Sequence, residues 1–351
     1  MSNFGFSMKA PQPKRSRPLL ILAPLLVLVL VLAVSLAQSL QPPPDFDGNG
    51  SGEVLIEIQQ GDTLREIGIN LLDNGVIAGI EAWIAVVNSD NRALSVAPGQ
   101  YNLRSEMSAR SALELLLDPS SRAVLKLTIP EGLRATEIIK RASKVTGINI
   151  LEFETLLEDP TPLNLPEIAS GSVEGFLFPA TYEIPKNATA QSVMQQMVDR
   201  FRQAYEDLEL SRRAAAAGRS VRDVIIIASI LELEGKVGDY PKISRVIANR
   251  LKIDMLLQMD STVNYALGTK ELQLTAEQLK NKSLFNTYVH KGLPPGPIGN
   301  PGEAALEAAL EPAPGAWLYF VTTNPKKGIT EFAVTYEEFL ELKRKFQSNV
   351  D

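Results

Sequence analysis

The sequence predicts an α+β fold in which a membrane-spanning helix precedes two globular units. A run of 19 uncharged residues occupies positions 19–37 and predicts the spanning helix. After it, short segments that alternate apolar and polar residues are interleaved with longer segments of helical period, a mixture typical of an α+β protein. The chain of 351 residues is long enough for two hydrophobic cores.

The first predicted element is a membrane anchor over residues 19–40. At about 1.5 Å per residue, its uncharged run matches the ~30 Å hydrocarbon core of a bilayer. A cleaved signal peptide is the alternative, but the apolar stretch of such a peptide usually spans about 7–15 residues. Lys14, Arg15 and Arg17 precede the run, so residues 1–18 are expected in the cytoplasm and the rest of the chain outside it.

Residues 41–53 are expected to form an extended linker, because they are dense in Pro, Gly and Asp and lack an apolar period. Asp45, Asp47 and Asn49 imitate the start of a calcium-binding loop. The twelfth position of that loop is Ile56, however, where a bidentate Glu is needed. The linker interpretation is therefore preferred.

Residues 54–118 are predicted to form a small α+β unit. Thr63 and Glu66 have the spacing of a capping box, which marks the start of a helix. The predicted elements are a strand at 54–58, a helix through residue 72, a helix at 80–87, a strand after the turn at 98–101 and a helix from residue 108.

Residues 119–351 are predicted to form a second, larger unit of mixed helices and strands. The aromatic segment at 171–182 is too apolar for a plain surface loop. The predicted elements are a strand at 123–129, helices at 136–146, 189–208 and 224–234, a pair of strands at 317–322 and 331–334, and a closing helix at 336–346.

The helix at 224–234 carries the most informative polar residue. It is apolar almost all round, which predicts burial at the centre of a domain, and Glu232 lies in its last turn with Gly235 placed to end it. Burial and the negative end of the helix dipole both raise the pKa of a carboxyl group, and a protonated carboxyl can act as a general acid. The alternative is a solvated ion pair between Glu232 and Lys236.

Glu234 is not expected to assist Glu232, because two residues along a helix amount to roughly 200° of rotation. A second acid would have to come from elsewhere in the chain, and Asp260 is the best candidate. Asp260 precedes Ser261 and Thr262, so the preferred interpretation is that it caps a helix.

The loop at residues 286–302 contains four Pro and four Gly in 17 residues, which predicts a stiff, irregular segment. Such a segment forms either one wall of a groove or a structural corner. Asn300, Pro301 and Glu303 have the residue types of the N-cap, N1 and N3 positions of the helix that follows.

Composition excludes several kinds of chemistry. Without Cys and with one His, the chain has no thiol nucleophile, no disulfide and no multi-histidine or thiolate zinc site. Four of its 35 Lys and Arg residues lie in residues 1–18, where there is no acid, so the remainder carries a clear excess of the 41 Asp and Glu residues. An acidic surface repels nucleic acid. We therefore expect no metal, no cofactor and no nucleic-acid partner.

Two groups of residues carry a family resemblance. IEIQQGDTLREIG at 56–68 resembles the strand-turn-helix of LysM glycan-binding modules. From about residue 54 to residue 339, with a single predicted membrane helix in front, the chain is similar to the YceG-like family of membrane-anchored endolytic murein transglycosylases. That similarity rests on EGFLFPATY at 174–182, ASILELE at 228–234, RVIANRL at 245–251, QMDSTV at 258–263, and NTY at 286–288 with GLPPGPI at 292–298.

The resemblance implies a LysM-like subdomain over residues 54–118, a catalytic domain over 119–351 and Glu232 as the single catalytic residue. It implies an enzyme of the bacterial plasma membrane that cuts the β-1,4 bond from N-acetylmuramic acid to N-acetylglucosamine and leaves 1,6-anhydro ends. Peptidoglycan strands, the membrane and peptidoglycan synthases are the expected partners. The residues expected to contact the glycan are Ser229, Gln258, Asp260, Thr262, Asn286 and Tyr288.

The sequence departs from the family pattern at Leu233, where Lys is usual, at Gly235, where Thr is common, and at Thr330, where many members have His. None of these differences removes the proposed acid, but they argue against a role for a positive charge beside Glu232 or for a histidine in the C-terminal hairpin. Two other functions stay open from the sequence: a non-catalytic glycan-binding scaffold, and a hydrolase that uses Asp260 together with Glu232.

Overall fold

The structure is a computed structural model that describes residues 27–32 and 43–350. The predicted anchor at 19–40 lies outside the described residues except for 27–32, which are helical. Across the described ranges, no helix combines the length and apolarity needed to cross a bilayer. In the part of the chain that the structure describes, helices are interspersed with three two-stranded antiparallel sheets, as predicted for an α+β fold. Contacts divide the chain into two units, Met1–Ala123 and Val124–Asp351.

The first unit has the order β-α-α-β-α. Its elements are β1 (Asn49–Ile58), α1 (Leu64–Asp73), α2 (Ile80–Ser89), β2 (Gly99–Met107) and α3 (Ala109–Leu117), with short 3-10 turns at Asn91–Ser95 and Pro119–Ser121. The strands pair with Ile56 opposite Tyr101. Trp83 is fully buried in the core of this unit. The predicted capping box is confirmed, because the Glu66 backbone N–H donates to Thr63 Oγ1 at 3.2 Å and the Thr63 N–H donates to Glu66 Oε2 at 2.7 Å.

The expected linker is wrong at its C-terminal end, where β1 already begins at Asn49. Gly50 adopts φ +68, and a Cβ added there would collide with the carbonyl oxygen of Ser105. The register shifts between Ser51 and Val54, so the strand carries a bulge. The glycines that predicted an extended linker therefore belong to a bulged strand. They allow its backbone to lie close to the backbone of the neighbouring strand.

The second unit is built around a buried helix. Its elements are β3 (Val124–Thr128), α4 (Ala135–Thr146), α5 (Ile150–Glu158), β4 (Thr181–Pro185), α6 (Ala190–Asp207), α7 (Leu210–Ala216), α8 (Val221–Glu234), α9 (Tyr240–Lys252), α10 (Asp260–Leu267), α11 (Glu303–Leu310), β5 (Tyr319–Asn324), β6 (Ile329–Ala333) and α12 (Tyr336–Val350). Strand β3 pairs with β4, and β5 pairs with β6. One apolar core surrounds α8, and another lies among β3, β4, α4, α5 and α6.

Helix α8 begins with a capping box between Ser220 and Asp223 and buries eight consecutive residues up to Leu231. It ends at Gly235, as expected, but not in the left-handed conformation typical of a glycine after a helix. Gly235 is extended, with φ −154 and ψ −167. A Cβ there would collide with Ile243 Cδ1 of α9, so a larger residue at this position would require the Ile243 side chain to move.

Candidate active site

The last turn of α8 presents Glu232, and two groups from later segments hold its carboxyl. The Tyr240 hydroxyl, at the start of α9, donates to Oε2 at 2.8 Å. The backbone N–H of Gly302, just before α11, donates to Oε1 at 3.0 Å. Glu232 is half-buried, so part of the side chain remains accessible to a ligand. Within the described residues these contacts replace the ion pair with Lys236 that the sequence left open.

A turn between β3 and α4 forms the wall beside this carboxyl. A Cβ added at Gly132 would lie 3.3 Å from the Cβ of Glu232, and one added at Gly302 would collide with Oε1 of Glu131. The Gly132 N–H donates to the carbonyl oxygen of Asn300 at 2.8 Å, which ties the turn to the loop before α11. The exposed side chain of Glu131 therefore lies beside the catalytic candidate.

The surroundings of Glu232 favour its protonated form. Burial raises the pKa of the Glu232 carboxyl above its ordinary value, and the negative charge of Glu131 raises it further. The hydrogen bonds from Gly302 and Tyr240 act in the opposite direction but do not outweigh burial. The arrangement suits a carboxyl that gives up a proton to a bound substrate and then takes one back.

Glu234 points to the other side of α8, as the helical rotation predicts, and caps another helix. Its Oε1 accepts a hydrogen bond from the backbone N–H of Ser261 at 3.1 Å. Helix α10 begins at Asp260, and its N-cap residue is Met259. The preferred interpretation of Asp260 as a helix cap is therefore wrong. A carboxylate from α8 satisfies a backbone donor in the first turn of α10, where the helix dipole favours negative charge.

Asp260 instead binds the loop at residues 286–302, called here the rigid loop. Its Oδ1 accepts a hydrogen bond of 2.5 Å from the Tyr288 hydroxyl. Burial raises the pKa of Tyr288, and the charges of Asp260 and Glu234 raise it further, while the Arg250 guanidinium lowers it. Asp260 and Tyr288 are both half-buried and form a polar cluster with Glu234. The groups whose charge or hydrogen bond acts on Glu232 are different ones and include Glu131 and Tyr240.

Three residues expected to contact the glycan are fully or almost fully enclosed and bind the protein itself. Ser229 Oγ donates to the carbonyl of Ile226 at 2.7 Å and accepts from the Ile298 N–H at 3.0 Å. Thr262 is fully buried and donates to the carbonyl of Met259 at 2.7 Å. Their polar atoms connect α8, α10 and the loop at residues 286–302. These atoms are therefore already hydrogen-bonded within the protein and are not free to bind a sugar.

Asn286 is the third of these residues, with no exposed surface. Its Nδ2 donates to the carbonyls of Leu279 at 3.0 Å and Asn281 at 2.7 Å, and its Oδ1 accepts from the Tyr288 N–H at 2.9 Å. Asn286 therefore shapes the loop that carries Tyr288. Gln258 is exposed, with φ +49, and its side chain is open to solvent.

A buried junction lies under the loop that carries Gly302. Asn300 was expected to cap α11, but that helix begins at Glu303 with Gly302 as its N-cap residue. Asn300 Oδ1 instead accepts from the N–H groups of Gly175 at 3.0 Å and Leu177 at 2.8 Å. Its Nδ2 donates to Glu174 Oε1 at 2.9 Å. The side chain joins the EGFLF segment to the wall of the active site.

Glu174 is the acid of this junction and is 8% exposed. Its Oε1 also accepts from the Ala135 N–H at 3.0 Å, and its Oε2 accepts from the Tyr265 hydroxyl at 3.3 Å. Burial raises the pKa of Glu174 to about 7, in spite of these hydrogen bonds and the nearby Arg134 charge. A group so enclosed supports the site and does not reach a substrate.

The sequence analysis missed Glu131 and Tyr240. Glu131 lies in the Pro-Glu-Gly turn at 130–132, where an acid between Pro and Gly directly after a strand was a usable signal. Tyr240 offered no such signal, because its distance from Glu232 depends on the turn between α8 and α9. Both residues reach Glu232 because the fold brings separate segments together, and no pattern in the local sequence shows this proximity.

The chain is similar to known proteins in sequence and in fold. A family model described as the YceG-like family matches residues 56–345. An endolytic murein transglycosylase of Bacillus subtilis (strain 168) is 29% identical over 312 residues, which cover 84% of this chain and 85% of that protein.

A second relative with the same name comes from Streptococcus pneumoniae serotype 2 (strain D39). It is 29% identical over 322 residues, which cover 82% of this chain and 56% of that protein. The crystal structure of a yceG-like protein from Listeria monocytogenes is similar as well, with 28% sequence identity and a TM-score of 0.57. That match covers 84% of this chain and all of the other chain.

Proposed function

This chain belongs to the YceG-like family, and from that premise we propose that it is an endolytic murein transglycosylase with Glu232 as its catalytic residue. Its substrate is the glycan strand of peptidoglycan. The bond cleaved joins C1 of N-acetylmuramic acid to O4 of N-acetylglucosamine. The observation that carries the proposal is the half-buried Glu232 carboxyl, held by Tyr240 and Gly302 with its pKa raised.

In the first step, the protonated Glu232 donates its proton to the bridging oxygen. The bond from that oxygen to C1 breaks, the N-acetylglucosamine side leaves as an alcohol, and positive charge develops at C1 of the muramic residue. The Tyr240 hydroxyl and the Gly302 N–H then stabilise the carboxylate that remains. These two fixed donors need no rearrangement when the charge forms.

In the second step, the Glu232 carboxylate accepts the proton of the muramic C6 hydroxyl. The C6 oxygen bonds to C1 and closes a 1,6-anhydro ring, and Glu232 returns to its protonated form. One protein carboxyl is sufficient for both transfers. This suits a site in which Asp260, the acid considered for a hydrolase, is hydrogen-bonded to Tyr288 in the polar cluster that includes Glu234.

The test is to incubate the purified full-length chain with peptidoglycan in water enriched in oxygen-18 and to identify the new ends by mass spectrometry. Transglycosylation gives 1,6-anhydromuramic ends without the label. Incorporation of oxygen-18 at C1 would mean that water is the nucleophile and that the enzyme is a hydrolase. Binding without cleavage would favour a glycan-binding scaffold.

We also propose that residues 19–40 anchor the chain in the bacterial plasma membrane, with residues 1–18 in the cytoplasm and both units outside. The proposal rests on the uncharged run and the basic residues before it. A reporter fused after residue 351 should be active only in an extracytoplasmic assay. A cytoplasmic signal would contradict the orientation, and a mature N-terminus near residue 38 would contradict the anchor.

The first unit is proposed to be a LysM-like glycan-binding subdomain. Support comes from the β1-α1-α2-β2 order and from the Gly-Asp-Thr turn that starts α1 with its capping box. Removing residues 54–118 should weaken binding to intact cell wall more than it changes the products. An anchored enzyme of this kind would meet nascent strands close to the membrane and end their elongation beside a peptidoglycan synthase.

A further inference from the structure

Two carboxyl groups from distant parts of the chain meet at one glycine. Gly302 donates its N–H to Glu232, and the missing side chain of Gly302 leaves the space into which the Glu131 carboxyl fits. The turn that carries Glu131 is fixed there, because Gly132 packs on the Cβ of Glu232 and bonds to the Asn300 carbonyl. Glu131 is therefore held at the site by its backbone, although its side chain is exposed.

We propose that Glu131 is a positioning residue for the proposed transglycosylase reaction, and that its negative charge keeps the proton on Glu232 until the leaving oxygen takes it. It acts through Glu232 and not on the sugar. The effect of Glu131 on catalysis rests on the proposed function. Its electrostatic effect on Glu232 does not, because the two carboxyl groups interact in the absence of substrate.

Three groups face the Glu232 carboxyl from the elements packed against it. Tyr240 from α9 and the N–H of Gly302 before α11 both donate hydrogen bonds, which favour the ionised form. Glu131 from the turn after β3 carries a like charge, which disfavours the ionised form and raises the pKa of Glu232 together with burial. Among these groups Glu131 alone opposes ionisation by its charge.

The same charge assists both steps of the reaction. Before cleavage it adds to burial in raising the pKa of Glu232 and so favours the protonated carboxyl. After the proton has left, two negative charges face each other across Gly302, so the carboxylate becomes a stronger base toward the C6 hydroxyl. Because Glu131 is exposed, salt should weaken this effect, as it does for other charges in contact with solvent.

The experiment uses two substitutions that separate charge from shape, together with a matched control. Glu131→Gln keeps the shape and removes the charge, whereas Glu131→Asp keeps the charge on a shorter side chain. Glu303→Gln removes an equal charge one residue after Gly302, but the Glu303 carboxylate is directed to Arg200 at 2.5 Å. Glu303 is not part of the proposed machinery.

The first readout is the titration of Glu232 itself, without substrate. In the full-length chain labelled with carbon-13 at Glu side-chain carboxyls, the Glu232 signal is the one that disappears in Glu232→Gln. Glu131→Gln should lower its titration midpoint, and Glu131→Asp should leave most of the midpoint in place. An unchanged midpoint in Glu131→Gln, or an equal shift in Glu303→Gln, would overturn the inference.

The second readout is the pH profile of peptidoglycan cleavage. The alkaline limb of Glu131→Gln should move to lower pH by the same amount as the titration midpoint, with activity recovering toward the parent value on the acid side. A uniform loss at every pH would indicate a structural role and overturn the inference. If the parent cleaves no peptidoglycan, the proposed function fails, and the titration still decides whether Glu131 acts on Glu232.

Discussion

The last turn of α8 carries a glutamate on each of two sides, and the two carboxyl groups have different hydrogen-bond partners. Glu232 meets a tyrosine hydroxyl, a backbone N–H and a second acid, and it remains half-open. Glu234 accepts the backbone N–H of Ser261 and stabilises the first turn of α10. Burial raises the pKa of both carboxyl groups.

This difference teaches that a raised pKa alone does not identify a catalytic acid. What separates the two residues is what their hydrogen bonds do in the protein. Glu234 is engaged in holding α10, and Asp260 beside it is engaged with Tyr288. The donors to Glu232, the Tyr240 hydroxyl and the Gly302 N–H, hold its carboxyl beside a second acid, Glu131, and cap no helix with it.

The largest expected effect is that of Glu232→Gln. Glutamine keeps the shape and the hydrogen-bond acceptor but cannot transfer a proton, so cleavage of peptidoglycan should fall by about 10²- to 10⁴-fold. Folding should be retained, as judged by a cooperative thermal transition near that of the parent. The measurement is the rate of formation of 1,6-anhydromuramic ends.

Glu234→Gln is the matched control, since glutamine still offers an oxygen to the Ser261 N–H. It should lose far less activity than Glu232→Gln. If Glu232→Gln were fully active, the site assignment would be wrong. If both variants lost activity equally, the distinction between the two sides of α8 would be lost with it.

A second prediction concerns Glu174, the buried acid beneath the Glu232 side. Its pKa is raised from 4.5 to about 7, so between these values the folded chain binds a proton that the unfolded chain has lost. Its contribution to stability is therefore present below about pH 4.5 and is lost as pH rises toward 7, by about 3 kcal/mol in total.

Glu174→Gln should remove that part of the pH dependence. Urea unfolding at pH 5 and at pH 8 measures it: the parent should lose more stability between the two values than the variant does. Equal losses in both proteins would show that Glu174 has no raised pKa in the folded chain.

A third prediction concerns Asn286, which the sequence placed in the glycan groove. Asn286→Ala leaves the carbonyls of Leu279 and Asn281 without their donor and the Tyr288 N–H without its acceptor. The free energy of unfolding should fall by about 2 kcal/mol, and activity should fall with it because Tyr288 loses its support. Normal stability with weakened turnover would restore the interpretation of Asn286 as a glycan ligand.

The smallest expected effect is that of Glu234→Ala. The substitution removes the acceptor for the Ser261 N–H at the start of α10, and losses of such caps cost about 1 kcal/mol. The melting temperature should fall modestly, while the alkaline limb of activity stays where Glu232 sets it. A shift of that limb would mean that Glu234 also acts on the catalytic proton.

The order of the elements could be predicted because their signals are local. The capping box at Thr63 and the helix around Ile227 follow from residues within a few positions of each other. Glu232 could be selected in the same way, as an acid in the last turn of an apolar helix.

The residues that surround Glu232 and Glu234 were harder to predict, because they depend on which distant segments pack together. Asp260 has the residue type of a cap, yet Glu234, 27 positions before Ser261, supplies the acceptor for the first turn of α10. Glu131 and Gly302 are brought together by packing between segments far apart in sequence, and polar residues of the rigid loop turned inward to satisfy its backbone. Long-range contacts of this kind leave little trace in the pattern of one segment.

The junction at Asn300 has a consequence for the time at which the enzyme becomes active. Its side chain joins residues that lie 123 to 167 positions earlier in the sequence. Such contacts form late, since the intervening chain must first be ordered. A nascent chain that has not yet reached residue 302 lacks both the junction and the Gly302 N–H that binds Glu232. The proposed active site at Glu232 is therefore completed only after most of the second unit has been synthesised, so a partly synthesised chain would not yet cleave peptidoglycan.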